Sequence, residues 1–380
     1  MSRRTLHLIT LFVLLAMVAP LLGGCARSEA TPAATEAATE AATEAAASSG
    51  GPIVIVDDTG HEVKFDAPPQ RIVVAGRATF IVANTLLTFP EGRERMVTGE
   101  SRGIQSMEFY KLIAPNLDPD KFLETDAGPE QIAAFDPDVV LMKSYMVEKL
   151  GPPLEELGIP YVALSLETPE QFYADVRLLG KLLGNEARAE EIVAYYQDKL
   201  ARLEQRRADT GEKPRVLVVS YSDKGGEVAF KVPPAGWIQT TETVMAGGDP
   251  VWAADVQGGG WNVVNFEQIA AWQPEVVFVI AYNKDTAEIA AKLRADENWA
   301  SLPAGQSGAI YGFPADYYSW DTPDPHWLLG VLWMSKKLHP DAYSDMDLMA
   351  ELHDFYRTLY GFTDAQIDEL IVPRLSGDVQ

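Results

Sequence analysis

At 380 residues the chain exceeds what a single hydrophobic core usually organises, so two domains are expected. Its 47% hydrophobic content is that of a globular protein. A formal net charge of −24 excludes a nucleic-acid surface, which needs a basic face, and otherwise speaks mainly of solubility.

The segment Met1 to Arg4 is basic through Arg3 and Arg4, Leu6 to Leu22 is largely apolar, and Leu-Gly-Gly-Cys occupies 22–25. A basic start, a short apolar run and small residues before a cut site make an export signal, not a membrane span. With Cys25 directly after two glycines, residues 1–25 resemble a bacterial lipoprotein signal with Cys25 as the lipidated residue. Cys25 is the sole cysteine, so no intramolecular disulfide framework exists. Residues 26–52 carry Thr-Glu-Ala-Ala repeats and no large apolar side chain, and so cannot bury a core. They read as a tether whose ends, as a coil, would lie roughly 30 Å apart.

Residues 53–184 read as a first α/β lobe. "IVIVDDTGHEVKF" is a β-hairpin about Asp-Thr-Gly. A short buried strand follows at Ile72 to Ala75, then strands at Val139–Met142 and Tyr161–Leu164. Helices are predicted over Phe80–Leu87, Pro129–Phe135, Val147–Leu157 and Pro169–Leu183. Residues 185–211 form one helix with an apolar stripe at Ile192, Tyr196, Leu200 and Leu203, unbroken by Gly or Pro and capped by Asn185. Residues 212–380 restart the alternation with strands at Arg215–Tyr221, Val276–Ala281 and Ala309–Tyr311. Helices at Pro325–Leu338, Leu348–Tyr360 and Thr363–Leu370 close the chain. The fold class is therefore α/β: two Rossmann-like lobes with central, mostly parallel sheets, joined by one long helix.

"EQIAAFDPDVV" at 130–140 and "EQIAAWQPEVV" at 267–277 differ at three positions. Each is a short helix, a proline-containing turn and a buried strand, and each falls midway through its half. Two related lobes facing each other would form a cleft beyond the carboxyl ends of their strands.

These segments, with "IVIVDDTGHEVKFDAPPQRIVV" and the late "WDTPDPHWLLGVLWMSKKLHP", resemble the extracytoplasmic solute-binding proteins of iron-siderophore, haem and cobalamin importers. The resemblance spans Ile53 to about Leu370. It implies little hinge motion and a monomer held outside the cell membrane by its lipid. It implies capture of an iron chelate (siderophore or haem) or a corrinoid, and delivery to an ABC permease dimer with its ATPase. An oxyanion such as molybdate or tungstate is the alternative cargo. Docking on permease arginines falls to Glu130 and Glu267. A glutamate in a helix's first turn is also favoured by the helix dipole alone.

Candidate ligand contacts are polar and aromatic residues just after strand ends: Arg77, Arg102, Lys143 and Tyr145 in the first lobe, and Tyr221, Trp237, Trp261, Tyr282, Tyr317, Tyr318 and Trp320 in the second. Trp237 and Trp261 lie in glycine-rich segments, where a ring is not obviously core. The three cations would suit carboxylates, phosphate or an oxyanion. His326 stands where the family often has arginine, and a helix-start histidine is more often structural. No metal site is expected, because the mature chain's histidines lack ligand spacing, and no cofactor beyond the chelate itself. Neither a nucleophile elbow nor a phosphate loop appears, so no enzyme is expected. A chelatase-like enzyme and a structural surface lipoprotein are the readings from other classes.

Overall fold

The computed structural model describes residues 51–379 apart from 101–103, 208–210, 212, 257 and 283. Cys25, the export signal, the tether and Arg102 lie outside the described residues.

Strands β1 (Ile53–Val56) and β2 (Glu62–Phe65) pair antiparallel as the expected hairpin. Asp57 organises its turn by accepting from the Thr59 and His61 amides at 2.9 and 3.1 Å. Its other oxygen accepts from Ala163, which fixes the hairpin to the first lobe.

That lobe holds a four-stranded parallel sheet. Its strands are β3 (Ile72–Val74), β4 (Met96–Gly99), β5 (Val139–Lys143) and β6 (Tyr161–Leu164), in the order β4-β3-β5-β6. Ile72, Val74, Val139 and Leu141 join one apolar cluster, and Val73, Val140 and Met142 join another. Alternate residues feed opposite faces, and both faces are covered, so these strands read as continuous apolar runs.

The second sheet comprises β7 (Arg215–Ser222), β8 (Ala229–Val232), β9 (Asp249–Pro250), β10 (Asn262–Val264), β11 (Val276–Ile280) and β12 (Ile310–Gly312), in the order β10-β8-β7-β11-β12. Strands β7, β11 and β12 run parallel, while β8 and β10 add an antiparallel flank. The two-residue β9 pairs with the start of β7. The flank was not legible in the sequence, since three- and four-residue strands between glycines give almost no periodicity. The expected last helix is also broken. Asp364–Gln366 passes into a π turn at Ile367–Ile371 and a tight turn at Val372–Arg374, where Pro373 removes a backbone donor.

The repeated segments are structurally equivalent, and the equivalence exceeds their identity. Each helix ends in a left-handed residue before its proline, Asp136 (φ 48°) and Gln273 (φ 43°). Arg71 donates to the carbonyls of Asp136 and Phe135, and Arg215 to those of Gln273 and Trp272. In return the acid one place beyond each proline accepts the arginine's backbone amide: Asp138 from Arg71 and Glu275 from Arg215. One guanidinium thus closes the orphan carbonyls of each helix end onto the entrance of each lobe's leading strand.

The long helix runs from Glu186 to Arg207, 22 residues or about 33 Å. Asn185 caps it through the Arg188 amide at 3.1 Å. It belongs to both lobes. On the first-lobe side Gly180 lets the preceding helix approach so closely that a Cβ there would lie 2.5 Å from Ala189 Cβ. On the second-lobe side Tyr196 donates to the Pro325 carbonyl at 2.6 Å, and Lys199 pairs with Glu351 and Asp354.

Candidate ligand-binding site

In the first lobe the carboxyl end of β3 turns at Gly76 (φ 102°), whose amide donates to Glu100 Oε1 at 2.7 Å. Glu100, buried after β4, also accepts from the Asp126 amide. Burial raises its carboxyl above the usual range, and these two amides oppose that. Arg77 is exposed but committed: its guanidinium pairs with Asp126 at 3.0 and 3.1 Å, and Lys149 shares the same carboxylate. The hydrogen bonds from Arg77 and then Lys149 hold Asp126 down at about 2. Tyr145, 55% exposed, donates to the Arg77 carbonyl.

Lys143 departs from expectation. It ends β5 pointing inward, is 1% exposed, and donates to Glu167 at 2.7 Å and to the Ser165 carbonyl. Burial lowers its pKa and Glu167 opposes the shift, so its charge is consumed in pinning the β6 exit loop. Neighbouring Asp175 accepts the Ser165 and Leu166 amides and is pushed by burial to about 8.

In the second lobe Tyr221 is half-buried at the end of β7, against Phe230. The Lys284 ammonium lies 5.9 Å from its ring centroid and pairs with Asp223. Trp237 caps helix Ile238–Met245, and Trp261 immediately precedes β10. Both are half-buried, 5.6 Å apart and 87° between planes. Trp261 also meets Tyr282, beyond β11, at 6.4 Å and 69°. Tyr282 is 47% exposed, yet its hydroxyl reaches inward to Asp321 Oδ2 at 2.8 Å.

The segment Asp316 to Asp321 is not an open loop wall. Trp320 is 1% exposed and donates to Asp316 at 3.1 Å. Tyr317 donates to the Leu370 carbonyl, and Tyr318 stacks on Phe80 at 5.5 Å. Phe109 touches both tyrosines. Because Phe80 and Phe109 come from the first lobe, these aromatics fasten the lobes together instead of facing solvent. His326 is likewise structural. Fully buried, it bonds Asp324 through Nδ1 (3.0 Å) and Tyr356 through Nε2 (3.1 Å), while Tyr356 donates to Asp316. Asn84 of the first lobe donates to the same Asp324. Burial works against the imidazolium, but Asp324 and Asp316 outweigh it, and its pKa is raised.

The structure thus gathers Trp237, Trp261 and Tyr282 in one cluster and Arg77 with Tyr145 in another, and takes Lys143, Tyr317, Tyr318 and Trp320 inside. Sequence reasoning missed the polar layer behind Tyr282. Gln239 donates to Asp321 at 3.1 Å, Ser319 donates to the same carboxylate, and Glu242 lies alongside, fully buried. Glu242 is the one charged residue between Pro233 and Gly248, a signal that was available. Among the described residues no three His, Cys, Asp or Glu side chains are grouped to hold a metal. A separate hollow of about 890 Å³, lined by Met346, Leu348, Val372 and Leu375, touches none of the expected contacts. Its lining residue Asp378 bonds Gly312 at the end of β12.

Residues 115–317 match the periplasmic binding protein family. The molybdate-binding protein MolA of Haemophilus influenzae is 25% identical over 254 residues, 61% of this chain and 69% of MolA. A periplasmic solute-binding protein from Veillonella parvula superposes with a TM-score of 0.66 at 26% identity, covering 84% of this chain and 97% of that one. The structure of MolA with bound molybdate gives 0.66 at 20% identity, covering 82% and 98%. Helicobacter pylori CeuE, in a nickel–histidine complex, gives 0.65 at 18%, covering 84% and 99%. A match that takes in more than half of the residues, on a fold shared with these structures, shows that the chain belongs to the periplasmic binding protein family.

Proposed function

We propose that this chain is the capture component of an ABC importer, taking an iron chelate (siderophore or haem) or a corrinoid and delivering it to a permease dimer driven by an ATPase. The observation that carries the ligand reading is the cluster of Trp237, Trp261 and Tyr282, three partly exposed rings beside strand ends, where a bulky, partly apolar molecule gains contact area. Arg77 and Tyr145 stand at the corresponding strand ends of the first lobe. The likeness to MolA favours an oxyanion as a second reading. Against it, Arg77, Lys143 and Lys284 are already paired with Asp126, Glu167 and Asp223. Native mass spectrometry and an absorbance scan of protein purified from its own host decide between chelate, haem, corrinoid and oxyanion.

Trp237→Ala and Trp261→Ala are each expected to weaken ligand binding by about 1–3 kcal/mol, measured by calorimetry, with little change in ligand-free melting. Unchanged affinity with lost stability would make them core residues.

The family places the protein outside the cytoplasm. Attachment there is assigned to a lipid on Cys25. Cys25→Ser is expected to release the protein in soluble form, as read by fractionation of cells; firm membrane retention would put the anchor elsewhere.

A further inference from the structure

We infer that the second-lobe wall of the site takes a positively charged, weakly hydrated group of the ligand, such as a substituted ammonium, on Trp237, Trp261 and Tyr282 backed by Asp321. The inference rests on the reading of these rings as ligand-facing.

The rings stand nearly perpendicular in sequence, 87° and then 69°, so their faces look in different directions around one corner. Aromatic faces are electron-rich and attract cations, the more so when water is excluded. The same lobe already makes this contact once, with the Lys284 ammonium at the Tyr221 ring. Behind the corner, Asp321 is fully buried and accepts from Tyr282, Gln239 and Ser319. Burial raises its pKa above the ordinary carboxylate value, and the three donors oppose that shift. By donating to a carboxylate, the Tyr282 hydroxyl leaves its ring richer in electrons.

No Lys or Arg among the described residues pairs with Asp321. Glu242 lies beyond it with neither oxygen hydrogen-bonded. The charged groups acting on Glu242 are Asp321 and Asp324, both acidic, and the helix opposite presents Gly330, where a Cβ would come within 3.0 Å of Glu242 Oε1. Burial, and then these two carboxylates, push the Glu242 pKa well up. Lys284, two residues beyond Tyr282, is bound to Asp223. The wall therefore sets the Asp321 carboxyl, with no Lys or Arg partner among the described residues, behind aromatic faces. This selects cationic or cation-bearing chelates over anionic ones.

The test is a tryptophan-fluorescence titration of the intact protein with choline and with dimethylbutanol, its uncharged carbon isostere. Choline is expected to bind about ten-fold or more tightly than the isostere. Trp261→Leu should abolish the response to both, and Asp321→Asn should bring choline down to the isostere's level. Should Asp321→Asn fail to fold, Tyr282→Phe keeps the ring, cuts its link to Asp321, and is expected to weaken choline alone. Equal binding of the two probes, or no response to choline, overturns the charge preference. If the protein's own ligand still loses affinity in Trp237→Ala and Trp261→Ala, the aromatic site survives that result. If it does not, both readings fall.

Discussion

Reversing Glu130 and Glu267 to arginine together is expected to abolish uptake while leaving ligand affinity unchanged. Both glutamates are exposed and open the equivalent helices Pro129–Ala133 and Phe266–Trp272. Related carboxylates on related lobes suit a permease with twofold symmetry. The resemblance implies arginines on that permease, and like-charge contact with them costs several kcal/mol at each lobe. Since 1.4 kcal/mol is a factor of ten, about 3 kcal/mol per lobe lowers docking more than a hundred-fold for one reversal and far more for two. Each single reversal should therefore be milder than the pair. Arginine-to-glutamate changes on the permease should restore part of the transport. Normal uptake by the double variant, at normal expression, would reduce the glutamates to helix-start chemistry.

Replacing His326 with leucine is expected to destabilise the ligand-free protein by roughly 3–5 kcal/mol in urea unfolding, because it leaves Asp324 and Asp316 buried without their cation. The pH dependence identifies the cause. The folded imidazolium titrates above its ordinary value of 6.5, so its contribution is complete below that value and is lost as pH rises through the folded pKa. Glu242 works in the same direction. Burial and its acidic neighbours raise its folded pKa above the ordinary 4.5, so folding favours its protonated form and stability falls as pH rises past that value. Wild-type stability should therefore decline from mildly acidic to alkaline pH, and His326→Leu should flatten the part of that decline above about 6.5. Glu242→Met, which removes two unpartnered buried oxygens, is expected to gain about 1–3 kcal/mol at neutral pH. A steep decline that persists in His326→Leu would assign it to other groups.

The parallel strands, the long helix and the duplicated segment were legible because each is a long periodic run or a literal repeat. Pro169–Leu183 and Leu348–Tyr360 have the bounds that periodicity gives. The candidate site was legible only in part. Tyr282, just beyond β11, follows the strand-end rule, whereas Trp237 and Trp261 adjoin the short flank strands β8 and β10 and were marked only by their glycine-rich segments. Lys143 and Trp320 obey the same rule and turn inward, because Glu167 and Asp316 wait for them across distances that sequence spacing does not encode. Asp316, Asp324 and Tyr356 around His326 converge from a loop and a helix up to 40 residues apart. No local pattern announces such a convergence.

The cross-lobe fastening of Phe80 on Tyr318 and Asn84 on Asp324, with a helix bonded to both sides, bears on how a transporter senses its supplier. Lobes fastened in this way are expected to offer nearly the same outline full or empty. Occupancy is then not broadcast by shape. In the proposed importer role, a permease would then meet loaded and unloaded copies with comparable readiness, and unloaded copies would compete for the same dock. Import at low cargo would then be governed by the fraction of copies that are filled, and overproducing the protein without cargo is expected to slow transport instead of speeding it.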